Sequence, residues 1–345
     1  MLRNLLLFAT LTAALSAQGN KTFPLASYVP ANGPGVVALV ADRGQIIYTG
    51  ATGYANIEKR TAMKTDYVFN MASVSKHFTA MAVLMLEGEG KIKATDAITK
   101  YIPELPAYAK KVSVRHLVHH QGGLPDYEGI CGSDDQPMTN QAVIDYLKTT
   151  KKPLFAPGKK YQYSNTGYAL LAVVVERASG MDFAAFMRDR IFQPLGMKAT
   201  YVLNPASLLA YQKRQVLAYY ESWREGPYVF SGCDTLYGDG SVISNIFDLA
   251  KWIQALHERK LIGEAQMKIY LKPVTAKGGS EYAYGLERYD DDGEISFSHA
   301  GSWGGFISYV IYYPQRAAYI VVISNYDGFD YAGISEALYE KFLSK

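Results

Sequence analysis

Tyr67-Val68-Phe69-Asn70-Met71-Ala72-Ser73-Val74-Ser75-Lys76-His77-Phe78 passes from a strand-like run into a stretch whose apolar residues, Phe78, Met81, Ala82, Met85 and Leu86, recur at helical spacing. The pattern predicts a strand up to Asn70 and a packed helix that begins near Ser73. Two consequences follow for Ser73 and Lys76. At a helix N-terminus the unpaired N–H groups and the positive dipole end favour a developing alkoxide. Residues i and i+3 share a helix face, so the Lys76 amine reaches the Ser73 oxygen. A serine hydroxyl is a weak nucleophile at its own pKa and needs an adjacent base. This is the only Ser-x-x-Lys in the chain. His77, one residue on, is expected to point off that face.

Working outward, Val36 to Ala41 and Gln45 to Thr49 flank Asp42-Arg43-Gly44 and read as a β-hairpin. Near the other end, Tyr282 to Tyr289, Ile295 to Ser298, Phe306 to Tyr313 and Ala318 to Ser324 read as strands, and Glu336 to Leu343 as a closing helix. Between them the pattern is helical, at Gln141 to Lys148, Gly167 to Ser179, Phe183 to Ile191 and Ile246 to Leu256. The expected fold class is therefore α/β, in the α+β sense. One antiparallel sheet is built from both chain ends, about 25–70 and about 270–345, and a mainly helical lobe is inserted at about 80–265. A cleft between two such lobes is where sites usually lie.

Composition bounds the function. The chain has 345 residues, of which 49% are hydrophobic, and Lys+Arg 35 against Asp+Glu 32 gives a net charge of +3. That balance offers no electrostatic case for nucleic acid. Arg3, the apolar run Leu5 to Leu15 and the small residues Ser16-Ala17 read as a signal peptide over residues 1–17, followed by a single catalytic domain over 18–345. The apolar run is too short to span a bilayer, so no stable membrane span is expected and the mature protein should be exported, periplasmic or secreted. An oxidising compartment permits a bridge between Cys131 and Cys233, although sequence gives no separation between them and two free thiols stay open. His116 and His120 stand at i, i+4 with no further ligand in pattern, so no metal is expected.

Two more motifs fit the cleft. Tyr163-Ser164-Asn165 precedes a helix, placing a hydroxyl that relays protons and an amide that holds a lysine or a carbonyl. His299-Ala300-Gly301 lies on the strand after an Asp/Gly turn, where Gly301 would let a substrate backbone approach. Tyr54-Ala55-Asn56 and His120-Gln121-Gly122 are decoys of the same two patterns; chain order selects Tyr163 and His299.

Taken in order, the three motifs resemble the serine β-lactamase and penicillin-binding (DD-peptidase) superfamily, in its class C β-lactamase-related branch of esterases and D-aminopeptidases. The likeness continues through Gly90-Lys91-Ile92 to Pro103, Gly123-Leu124-Pro125-Asp126-Tyr127, Pro194-Leu195-Gly196-Met197 and Gly238-Asp239-Gly240 to Trp252. It implies a β-lactamase/transpeptidase-like fold and an acyl-enzyme mechanism with no cofactor. In that mechanism Ser73 attacks a carbonyl, Lys76 or Tyr163 is the main base, and Tyr163 shuttles the proton. Asn165 orients Lys76 and the substrate, and the N–H groups of Ser73 and Ser302 form the oxyanion hole, worth ~3 kcal/mol per donor in other acyl-transfer enzymes. Trp303 would wall the acyl pocket or simply pack.

The third motif departs from the β-lactamase pattern, with His299 where lysine is usual. His-x-Gly is more typical of the related esterases and aminopeptidases. An imidazole is largely neutral at pH 7, so the grip on a substrate carboxylate is missing unless another cation such as Arg214 or Arg288 supplies it. The expected substrate is a small molecule or peptide, cell-wall-derived ones included, cleaved at an ester or D-amino-acid amide in preference to a β-lactam. The other class is a non-catalytic penicillin-binding or sensor module with the same fold.

Overall fold

A computed structural model of the protein describes residues 22–131, 136–213, 215–275 and 281–344. The segment 1–17 read as a signal peptide and Arg214 lie outside the described residues.

β1 (Val36–Asp42) carries the unbroken run Val-Val-Ala-Leu-Val-Ala because both of its faces are covered. Val36, Ala38 and Val40 join one apolar cluster with Ile334 and Leu338 of α9 (Tyr331–Phe342), while Val37, Leu39 and Ala41 join another with Leu249 and Trp252 of α7 (Ile246–His257). A strand buried on both faces reads as continuous apolar sequence, not as alternation. β1 pairs on one side with β2 (Gln45–Thr52) and on the other with β13 (Ala318–Ser324), at the register Val36↔Ser324. The sheet continues through β12 (Phe306–Tyr313), β11 (Glu294–Trp303), β10 (Glu287–Asp291), β9 (Glu281–Tyr282) and β8 (Val274–Thr275), giving eight antiparallel strands drawn from both chain ends.

The expected strand over Tyr282 to Tyr289 is broken in two. Gly285 takes φ +75 and lies against the Lys76 carbonyl, where an added Cβ would sit 2.7 Å from that oxygen. Strand β11, by contrast, runs on through Trp303 and carries His299, Ala300 and Gly301. The closing helix starts earlier than Glu336, because Asp330 caps it by accepting from the Gly333 N–H at 2.9 Å.

The helical part is built on α4 (Asn165–Ser179), whose residues Thr166 to Val175 are all buried. An all-round apolar helix is a core helix. It packs against α1 (Lys76–Gly88), α2 (Val114–Val118), α3 (Asn140–Thr149) and α5 (Phe183–Met187). The helical pattern at Phe183 to Ile191 passes after α5 into a π-turn over Arg188–Phe192. Short helices α6 (Leu208–Gln212) and α8 (Glu264–Tyr270) complete this part. Two small sheets accompany the large one. One pairs β3 (Tyr54–Asn56) with β4 (Thr61–Ala62); the other sets β7 (Val242–Ser244) between β5 (Phe69–Asn70) and β6 (Tyr201–Val202).

Candidate active site

Ser73 lies in a 3-10 turn, Ala72–Ser75, directly before α1, so the nucleophile candidate precedes the helix by one tight turn. The turn is clamped from both sides. Met71 N–H donates to the Val242 carbonyl at 2.8 Å, the Ser308 hydroxyl donates to the Met71 carbonyl at 2.7 Å, and the Ser75 hydroxyl accepts from the Val242 N–H at 3.0 Å. Ala72 is held at φ +45, a conformation that costs about 1–3 kcal/mol in a non-glycine residue and persists where the surroundings over-determine it. Gly301 is part of this clamp. A Cβ there would meet the Met71 carbonyl at 2.4 Å and the Ser73 N–H nitrogen at 3.0 Å, so its missing side chain makes room for the nucleophile turn.

Lys76 is fully buried, and its ammonium finds three acceptors: Ser73 Oγ at 3.0 Å, Asn165 Oδ1 at 2.7 Å and the Asp239 carbonyl at 2.8 Å. Those are all the donors the group has. Burial lowers its pKa to about 8, against the pull of the negative charges of Asp239, Asp126 and Glu128. Asn165 is equally committed. Its Oδ1 takes Lys76, its Nδ2 donates to Glu128 Oε1, and its backbone N–H donates to Asp126 Oδ2 at 3.0 Å.

Tyr163 sits on the other side of Ser73, with its ring 4.7 Å from the Lys76 nitrogen. Its hydroxyl hydrogen-bonds Ser73, which favours the phenolate, but loss of solvation at the hydroxyl outweighs this and raises its pKa above the usual phenol value, although the side chain as a whole is 37% exposed. Behind it lies His120, dismissed above as a decoy. Its ring centroid is 4.3 Å from that of Tyr163, and its Nδ1 accepts from the Ser164 N–H at 3.1 Å. The other decoy, Asn56, instead accepts from the Lys59 N–H in a turn.

His299 is 5% exposed, and both of its ring nitrogens are in use. Nδ1 faces the Ala300 carbonyl at 2.6 Å, which can only accept, so Nδ1 carries the proton and Nε2 accepts from the Tyr282 hydroxyl at 3.0 Å. Burial, reinforced by the Lys76 charge, lowers its pKa to about 3. The imidazole is therefore held neutral, with both ring nitrogens engaged inside the protein. His77 lies off the Ser73 face but packs edge-on against His299, with ring centroids 5.9 Å apart. Arg288, the alternative cation, is held by Glu281 and Asp290.

Beside Ser73 a small cavity is lined by Asn165, Tyr127, Asp239, Ser302 and Trp303. The Trp303 indole donates to Asp234 Oδ1 at 2.6 Å, and the Tyr127 hydroxyl to Asp239 Oδ2 at 2.7 Å. Cys131 and Cys233 form a disulfide. Among the described residues no cluster of His, Cys, Asp or Glu is arranged to hold a metal, and no helix is long and apolar enough to cross a membrane. Asp239 is the participant that sequence reasoning passed over. An aspartate between two glycines looks like an ordinary turn, yet burial raises its pKa to about 6 and its second oxygen, Oδ1, has no partner.

Comparison with known proteins bears on family and fold. A family model described as Beta-lactamase matches residues 27–340. The chain belongs to the beta-lactamase family. Among its relatives, penicillin-binding protein 4* of Bacillus subtilis (strain 168) is 34% identical over 306 residues, 83% of this chain and 67% of that protein. A D-aminopeptidase of Brucella anthropi is 26% identical over 328 residues, 91% of this chain but only 60% of the relative's length. Among solved structures, the octameric penicillin-binding protein homologue from Pyrococcus abyssi superposes with a TM-score of 0.79 at 26% identity, covering 89% of this chain and 73% of that one. The D-amino acid amidase from Ochrobactrum anthropi SV3, solved with L-phenylalanine amide, gives a TM-score of 0.72 at 25% identity, covering 87% and 89%. The large antiparallel sheet flanked by helices is the fold of this family, and the family is one of serine hydrolases.

Proposed function

We propose that the protein is an exported hydrolase that forms an acyl-enzyme on Ser73 and acts on small esters or D-amino-acid amides and peptides in preference to β-lactams. The observation that carries this reading is the buried Lys76 amine, 3.0 Å from Ser73 Oγ and lowered to about 8. In its neutral form that amine accepts the Ser73 proton as Oγ bonds to the substrate carbonyl carbon. The carbonyl oxygen takes the negative charge next to the Ser73 and Ser302 N–H groups. When the tetrahedral intermediate collapses, the bond to the leaving oxygen or nitrogen breaks, and Tyr163 delivers the proton to it. Water then cleaves the acyl ester, and its proton returns by the same groups to Ser73. The raised pKa of Tyr163 suits a proton donor better than a resting phenolate, which favours Lys76 as the first base. His299, neutral at working pH, brings no fixed charge to a substrate carboxylate, and this supports esters and amides over penicillins.

The test is a panel of short-chain nitrophenyl esters, D-alanyl amides and a chromogenic cephalosporin, alongside fluorophosphonate labelling mapped by mass. Adduct on the Ser73 peptide with turnover of an ester or D-amide is the expected result. A stable acyl adduct without turnover would replace the hydrolase by a binding or sensor module, and a cephalosporin preferred over every ester would overturn the substrate class. Export rests on residues 1–17, and a mature N-terminus at residue 18 in the exported fraction is the result that checks it.

A further inference from the structure

Tyr163 has to present a proton at a fixed place, yet it stands in a stretch, Tyr161 to Ser164, that belongs to no helix or strand. Regular structure resumes only at Asn165, where α4 starts. The two backbone donors that flank Tyr163 both end on one residue, His120. Gln162 N–H donates to the His120 carbonyl at 2.9 Å, and Ser164 N–H donates to its Nδ1 at 3.1 Å. Between these anchors the phenol ring lies on the imidazole, with centroids 4.3 Å apart and planes inclined by 31°.

His120 is itself firmly held. It is 1% exposed, and its ring packs against Tyr282 and Tyr168, with centroids 4.5 Å and 5.1 Å away. Its backbone takes φ +56, a strained conformation for a non-glycine residue that persists where the surroundings over-determine it. The Ser164 N–H fixes the tautomer, since an Nδ1 that accepts leaves the ring proton on Nε2. Burial, reinforced by the Lys76 charge, keeps the ring neutral, and so keeps that acceptor available. Only histidine joins a flat ring to an acceptor one atom beyond Cγ: phenylalanine would keep the stack and lose the acceptor, and asparagine would do the reverse. His120 does not line the cavity beside Ser73, so its route to the chemistry runs through Tyr163.

We propose that His120 is a positioning residue for Tyr163: by holding the backbone on both sides of the phenol and one face of its ring, it sets the place from which the proton reaches the leaving group. The proposal rests on the acyl-enzyme reading, in which Tyr163 delivers that proton.

The experiment is a series of acetyl esters with one acyl group and four alcohols, nitrophenol, phenol, trifluoroethanol and ethanol, with kcat/KM reporting acylation. Nitrophenolate leaves without a proton, whereas ethoxide needs one. His120→Asn and, separately, His120→Phe should each lower kcat/KM for ethyl acetate about tenfold more than for nitrophenyl acetate. Tyr163→Phe should show the same dependence on the leaving group, and adding His120→Asn to it should cost nothing further on ethyl acetate, because a residue that acts through the phenol has nothing left to act on. An equal loss on every ester in a folded His120 variant, or no loss, would overturn the positioning role and leave the hydrolase reading intact. An equal loss on every ester in Tyr163→Phe would overturn proton delivery by Tyr163, and this proposal with it. Absence of turnover on every ester together with no phosphonate adduct on Ser73 would overturn the hydrolase reading as well. Where neither His120 variant folds, the wild type decides: nitrogen-15 spectra of its histidine rings, assigned through contacts with Tyr163 and Tyr168, should place the His120 proton on Nε2, and a proton on Nδ1 would overturn the proposal.

Discussion

Burial alone would hold Lys76 far from its charged form, and the three carboxylates around it, Asp239, Asp126 and Glu128, moderate that. His120 and His299, the imidazoles nearest to it, are both held neutral by burial. With the neutral amine as the base, as proposed, kcat/KM for an uncharged ester should rise with pH along a limb centred near 8, the lowered value of Lys76. Asp239→Asn keeps an acceptor for the Tyr127 hydroxyl but removes a charge that raises Lys76, so the limb should move to lower pH. A limb that stays in place would show that Asp239 does not set it. Stability should respond to the two groups in opposite senses. The folded value of Lys76 lies below its unfolded one, so between about 8 and 10.5 the folded state binds fewer protons and this group makes the fold more stable as pH rises. Asp239 is raised from 3.8 to about 6, so its contribution falls as pH rises through that window. His299→Lys should not recruit a penicillin carboxylate. The new ammonium would be buried close to Lys76, and a loss of roughly 2–4 kcal/mol in unfolding free energy is expected, visible as a lower melting temperature. The His-x-Gly motif was legible in the sequence, but its burial was not, because a strand pattern does not say which residues a neighbouring helix covers.

At the level of elements, strands were readable wherever apolar runs were bounded by turn residues, as at Phe306–Tyr313 and Ala318–Ser324. The split between β9 and β10 was not, since Gly285 in sequence is only one more glycine in an aromatic run, and its positive φ comes from contact with α1. The same clamp makes Gly301 a sharp test. Gly301→Ala would press on the Met71 carbonyl and on Ser73, so both stability, by about 1–3 kcal/mol, and kcat/KM, by at least tenfold, should fall. Wild-type activity in that variant would mean the turn has slack. The cysteine pair could be placed only in two loops by sequence, because loop separation is a tertiary property. Reduction, or Cys131→Ser with Cys233→Ser, should lower stability by about 2–4 kcal/mol in denaturant unfolding, and Ser73 should still be labelled.

For the whole molecule, β1 lies between the edge strand β2 and β13, so this interior strand has one neighbour made early and the other close to the end of the chain. The division into a sheet from both ends and helices between was visible in the sequence because the two kinds of periodicity occupy separate stretches. Pairing at Val36↔Ser324 closes a loop of nearly the whole chain, the kind of contact that slows folding. A chain cut after residue 315, before β13, should fail to protect its core from protease and should leave Ser73 unlabelled; labelling at the intact rate would show that the helical part shapes the nucleophile alone.

That topology also imposes a schedule. Ser308, whose hydroxyl fixes the turn beneath the nucleophile, and Gly301, which makes room for it, both belong to the last fifty residues, whereas Ser73 is made in the first hundred. A ribosome-bound chain thus carries the reactive serine for most of its synthesis without the surface that activates it. Reactivity arrives only when the chain is nearly complete, a latency that follows from strand order and needs no separate inhibitor.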